Sequence, residues 1–204
     1  MVNLIGVSMR LNIKNNIKDV TKDLTKMQKK QIPFATSIAI NNTLFGLRKE
    51  MSKQLDKKLD RPTPFTKRGF LVDKSKKTKL VGTLFLKDVV ADYLQYQVDG
   101  GIRSNNKLIP VPNVQNAKLN KYGNIIGKKT GLVKKKTQFF GTINGTKGVW
   151  DRTKNDGLKL IIGLHRNVSY EPKFPFYVIA DKYSKNTFNK NLIKSLNKAL
   201  KTAK

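Results

Sequence analysis

Few side chains in this sequence can do chemistry, and those few are scattered. His165 is the sole histidine and precedes Arg166 near the expected end of a strand. An imidazole alone in such a place is ordinarily a surface or structural group rather than a general base. Asp88 and Asp92 have the spacing that puts two acids on one helical face, and Asp151 and Asp156 flank a turn. General acid–base catalysis needs two such groups brought together in a cleft. Helix capping by Asp88 and surface pairing with Lys87 explain the first pair more simply. The run Gly123-Asn-Ile-Ile-Gly127-Lys128-Lys129-Thr130 has the ingredients of a phosphate loop. That loop needs four residues between its glycines and one Lys directly before the hydroxyl residue. Here three residues intervene and a second Lys precedes Thr130. With no cysteine there is neither a disulfide framework nor a thiolate metal site, and one histidine excludes a His cluster. The expectation is no catalytic residue, no cofactor and no metal.

What remains is cations. Lys128, Lys129, Lys134, Lys135 and Lys136 lie close to Phe139 and Phe140, the pattern of a basic patch with stacking aromatics. These lysines are the candidate contacts for phosphate or another anionic partner. The two Phe residues read better as core of a strand beginning at Gln138, and Trp150 likewise reads as core. Over 204 residues, 42 Lys+Arg against 13 Asp+Glu leave a net charge of +29. Such self-repulsion points to an anionic partner: nucleic acid, an acidic protein surface or a membrane face. No detachable basic tail holds it: residues 1–60 carry +7, 61–110 carry +6, and 111–157 and 158–204 carry +8 each. Only seven of the cations are Arg, so bidentate reading of guanine edges, and with it sequence-specific DNA recognition, is a poor fit. The 19 Asn beside 35 Lys suit drift in coding composition. Drift explains Lys in place of Arg, but not the scarcity of carboxylates. No apolar run approaches the ~18 residues of a membrane span, and the first residues lack a secretory pattern, so no membrane partner is expected.

The elements that would position these residues follow from periodicity. Ile13, Ile17, Val20, Leu24 and Met27 form one stripe of a first helix; Pro33 then breaks it or begins the next helix at its first position. A second helix over about 33–57 carries Phe34, Ile38, Leu44, Leu47, Met51 and Leu55, with Ala35 and Ala39 permitting close packing. The Pro62/Pro64 segment is extended. Lys79–Lys87 reads as a strand, 89–97 as a short helix, and Gly100-Gly101 as its stop. Residues 102–136, rich in Pro, Gly, Asn and Lys, read as a long exposed loop. Three strands follow, Gln138–Ile143, Gly148–Arg152 and Leu158–His165, joined at the turn signals Asn144-Gly145 and Asp156-Gly157. A long helix begins near Phe174-Pro175-Phe176. The expected class is α+β: a small antiparallel sheet flanked by helices, with N-terminal helices and a long C-terminal helix. A single domain is expected over 1–204, with a helical arm at 1–30, a core from 31–101 and 137–204, and an extended basic loop at 102–136.

The segment Gln31-Ile-Pro-Phe-Ala-Thr-Ser-Ile-Ala-Ile-Asn-Asn-Thr is similar to the opening helix of the tail-completion, or minor tail protein Z-like, family of tailed bacteriophages. Those helices often read as a basic residue, then Pro-Phe-Ala, then Ala-Leu-Asn. Asp60-Arg-Pro-Thr-Pro-Phe-Thr, Tyr93-Leu94 with Gly100-Gly101, and Phe174-Pro-Phe leading into the terminal helix also resemble that group. The likeness spans about 31–200, with 102–157 longer than the minimal form. It implies a small sheet flanked by helices and a virion protein of the neck or tail top, made in the host cytoplasm. It further implies a homo-oligomeric ring contacting portal, adaptor or tail-tube proteins, non-enzymatic, with no catalytic residues to carry over. The rival reading is a basic protein that binds nucleic acid without sequence preference, DNA included.

Overall fold

The computed structural model describes residues 10–13, 26–112, 116–126, 135–153 and 157–202. The class is α+β, as expected. Where one domain is expected, the chain divides into two compact units, Met1–Val98 with Lys173–Lys204, and Asp99–Pro172.

The first unit is organised by helix α1, Lys26–Lys58. Its buried side chains Ile40, Leu44, Leu47, Met51 and Leu55 recur at spacings of three and four, so they form one stripe. Each is fully covered, and burial of such a side chain is worth about 1.5–3 kcal/mol. The expected break at Pro33 does not occur: Pro33 lies inside α1. It sits near the helix start, where it removes one backbone hydrogen bond, and the stripe beyond it outweighs that loss. The expected helix across residues 13–30 is corrected at Ile13, which ends a strand, β1, Arg10–Ile13. Most of that stripe, from Ile17 to Leu24, lies outside the described residues.

A short helix α2, Pro64–Lys67, precedes β2, Phe70–Asp73. Strand β3, Gly82–Leu86, falls within the expected Lys79–Lys87, and helix α3 runs Asp88–Val98. The strands form an antiparallel sheet in the order β1-β3-β2. Phe70, Leu84 and Leu86 from the sheet and Val90, Ala91 and Leu94 from α3 join the α1 stripe in one core. Phe174 and Phe176 complete it, with ring centroids 6.4 Å and 6.3 Å from Phe70. Helix α4, Phe176–Thr202, packs along α1. Asn191 Nδ2 donates to Thr43 Oγ1 at 2.9 Å, and the Tyr183 hydroxyl occupies the space a side chain at Gly46 would need. A buried polar clamp fixes the β2–β3 connection to α1. There Ser37 Oγ and Asn41 Nδ2 donate to the Ser75 carbonyl at 2.9 and 3.1 Å, and Ser75 N donates to Asn41 Oδ1 at 2.8 Å.

The second unit is a four-stranded antiparallel sheet in the order β4-β7-β6-β5. Its strands are β4, Gly101–Pro112; β5, Gln138–Ile143; β6, Thr146–Thr153; and β7, Gly157–Tyr170. Strand β4 corrects the expected 102–136 loop over residues 102–112; the described residues 116–126 are turns and bends with one isolated bridge. The prolines of β4 are tolerated because it is an edge strand, pairing with β7 alone among the described residues. The β5–β6 turn has Asn144 and Gly145 at φ 49 and 76, as a tight Asn-Gly hairpin requires. The chain enters and leaves the sheet at neighbouring points, since Gly101 pairs with Tyr170. In the first unit, the Gln97 carbonyl accepts from both Lys173 N and Phe174 N, at 2.8 and 2.7 Å.

Candidate anion-binding site

The residues singled out for catalysis stay apart. His165 is exposed within β7, opposite Ile109. Asp88 opens α3 and Asp92 lies on its surface, both exposed. Asp156 lies outside the described residues, whereas Asp151 is only 7% exposed in β6. Its carboxyl is held below the ordinary carboxylate range, first by a hydrogen bond from the Thr137 side chain. The Gln138 amide, whose Nε2 stands 3.2 Å from Oδ2, and the charges of Lys135 and Lys159 act in the same direction, against a desolvation effect. Asp151 is therefore a satisfied structural acid. The phosphate-loop lookalike is cut at Gly127–Thr130, outside the described residues. Its start is a tight turn, with Gly123 at φ 75 and Asn120 Oδ1 accepting from Tyr122 N and Asn124 N. Among the described residues no group of three His, Asp or Glu could hold a metal, and no helix is long and apolar enough to cross a membrane.

Of the candidate lysines, Lys128, Lys129 and Lys134 lie outside the described residues; Lys135 and Lys136 are exposed in the turn before β5. The aromatics beside them divide. Phe139 pairs with Trp150, and the Arg152 guanidinium stands 5.4 Å from the Phe139 ring. Trp150 Nε1 donates to the Gly141 carbonyl at 3.2 Å, and the side chain is half-buried rather than core. Phe140 pairs with Val149 on the other face and is 58% exposed, which corrects the core assignment. Lys147 and Lys159 share that face, through their pairs with Thr142 and Asp151.

A further cationic site is in the first unit, on residues that belong to no sequence motif. Arg48, Lys49, Ser52, Lys67, Arg68, Phe70 and Leu71 line a groove of about 360 Å³. Arg48, Lys49 and Ser52 follow helical spacing on α1, beside the buried Leu47, Met51 and Leu55, so the core stripe holds them on an outer wall. The opposite wall is set by a braced connection. Thr63 caps α2, its side chain accepting from Thr66 N at 3.2 Å, with Pro64 in the first turn. The Thr66 hydroxyl bonds the Tyr93 hydroxyl at 2.9 Å, tying α2 to α3. Gly69 then lets β2 pass close to α3: a Cβ there would stand 2.8 Å from Val90 Cγ1. Lys67 and Arg68 thereby line the same groove as Arg48 and Lys49, together with the buried Phe70.

The charge is weakly compensated. Lys67 Nζ pairs with Asp56 Oδ1 at 2.7 Å. Among the described residues Arg48, Lys49 and Arg68 have no carboxylate partner; Arg48 lies 5.4 Å from the Phe45 ring and Arg68 Nε donates to the Pro64 carbonyl. The arrangement can hold an anion by charge and by the Arg forks. Two of the seven Arg in a chain that otherwise uses Lys were the available sequence signal. The approach of α2 to α1 was not readable from it. No protein-family model matches the chain, and comparison with curated proteins and with solved structures finds no match.

Proposed function

We propose that this chain is a structural protein of a tailed-phage virion, forming an oligomeric ring at the head–tail junction, in the neck or tail top. On this reading it is not an enzyme, and its neighbours are further copies of itself and portal, adaptor or tail-tube proteins. The Gln31–Thr43 and Asp60–Thr66 resemblances suggest the role. The observation that carries it is strand β5. Among the described residues β5 pairs only with β6, and from Phe139 to Ile143 it has no charge and no proline. Natural edge strands are ordinarily blunted by such residues, so an open, apolar edge suits strand addition from a second copy. Phe140, exposed on that edge, supplies an apolar anchor.

Mass photometry of the purified chain should show a closed oligomer that Phe140→Asp reduces to monomer. With +29 on each copy, assembly should strengthen as salt rises from about 20 to about 300 mM, because screening shortens the reach of repulsion. Electron microscopy of intact particles carrying a labelled chain tests the location: label absent from the neck and tail top would sink the proposal. The second reading, sequence-independent nucleic-acid binding, is favoured by the exposed Phe140 on a face shared with Lys147 and Lys159. It predicts a monomer whose DNA affinity falls with salt.

A further inference from the structure

We infer that the groove between α1 and the α2–β2 segment is a binding site for the phosphodiester backbone of a nucleic acid. The inference goes beyond the ring proposal and deepens the second reading, on which it rests: it assigns contact to Arg48, Lys49, Lys67 and Arg68, which neither reading singles out.

Three observations converge on phosphate in a polymer. The first is composition against place. Lys makes up 35 of the 42 cations, yet two of the four cations in the groove are Arg, one on each wall. Guanidinium forks match the paired oxygens of a phosphate, whereas an ammonium serves only as a point charge. The second is the floor. Phe70 is buried and Leu71 half-buried beneath the cations, so one side of the site is apolar, and charge interactions there are screened less than on an open surface. The third is extension. The basic line does not stop at the groove, since Arg48 and Lys74 share the Phe45 ring at 5.4 and 5.6 Å. A repeating anion can occupy both the groove and this flank, which a single small phosphate cannot. Asp56, itself on α1, pairs with Lys67, which leaves Arg48, Lys49 and Arg68 without a carboxylate partner among the described residues.

The site engages the backbone and not the bases. Nothing in the groove offers a fixed donor and acceptor pattern for base edges, and phosphate contacts position without specifying sequence.

The test uses the full chain and fluorescent single-stranded and duplex DNA of mixed sequence. Arg48→Gln with Arg68→Gln should weaken binding at least ~10-fold and lower the salt slope by about 2, one increment for each phosphate that is no longer neutralised. Lys190→Gln with Lys194→Gln removes the same charge from exposed positions of α4 that do not line the groove and should change affinity less than ~2-fold, since exposed charges outside the site are screened. Equal weakening by both pairs would overturn the assignment, because the effect would then be net charge alone. Adenosine monophosphate binding as tightly as the polymer would also overturn it, giving the site to a free phosphate monoester. So would polyglutamate competing as well as DNA, which would point to an acidic protein. Arg48 and Arg68 are exposed, so unchanged thermal midpoints are expected. Should the Gln pair unfold, Arg48→Lys with Arg68→Lys keeps the charge and must still weaken binding if the forks matter. Ring formation by the Gln pair as by the parent chain keeps this outcome separate from that of the assembly proposal.

Discussion

Asp151 is an acid kept almost out of water in a chain that has few acids. Its folded carboxyl lies below the ordinary range because Thr137 and Gln138 donate to it and Lys135 and Lys159 stand near. A depressed folded value means the unfolded chain takes up the proton first as pH falls. The stability contributed by Asp151 is therefore complete above about pH 4 and is lost as pH falls through the lower folded value. Asp151→Asn should be less stable than the parent at neutral pH, and should remove this part of the acid dependence. Urea midpoints of the two chains, read by Trp150 fluorescence between about pH 2 and 6, check it: parallel curves would refute it. Phe139 and Phe140 make the neighbouring point about legibility. Adjacent residues in a strand must face opposite ways, so the sequence alone required one of them to differ from the other. It could not tell which face the rest of the chain would cover. The same holds for Arg48 and Arg68, whose types were visible but whose meeting depended on α2 folding back.

At the scale of elements, periodicity was the readable part. The α1 stripe from Leu44 to Leu55, the α3 helix, the β5–β6 hairpin and the terminal helix all appear as their spacing predicts. Two of the departures share one cause, prolines weighed without their neighbours. Pro33 is carried inside α1 because the packing beyond it dominates, and Pro110 and Pro112 are carried in β4 because that strand pairs on one side only among the described residues. Strands β1 and β2 have four residues each, too short to show a period. Glycine at position 82 illustrates how tightly α1 and β3 are fitted. A Cβ there would stand 2.5 Å from Leu44 Cδ1 and 3.0 Å from Ile40 Cγ2. Both neighbours are fully buried, so Gly82→Val must displace core side chains, at a cost of about 1–3 kcal/mol. Denaturation followed by helical circular dichroism should show that loss; an unchanged midpoint would mean that the core yields freely.

At the scale of the molecule, charge was legible in amount but not in arrangement. The near-even count along the sequence conceals a groove where residues from 48 to 71 gather four cations with one carboxylate beside them. The division into two units was hidden for a related reason: β4 and β7, whose pairing closes the second unit, are far apart in sequence. That closure has a consequence. The Gln97 carbonyl already receives Lys173 N and Phe174 N, and Gly101 already sits opposite Tyr170. Replacing residues 99–172 by a short glycine linker should thus leave a helical, cooperatively unfolding first unit; a molten product would show that it needs the second. If the deletion folds, the segment behaves as a cassette that evolution could gain, lose or exchange at a single splice. Lineages sharing the helical body would then be free to differ in the sheet they display.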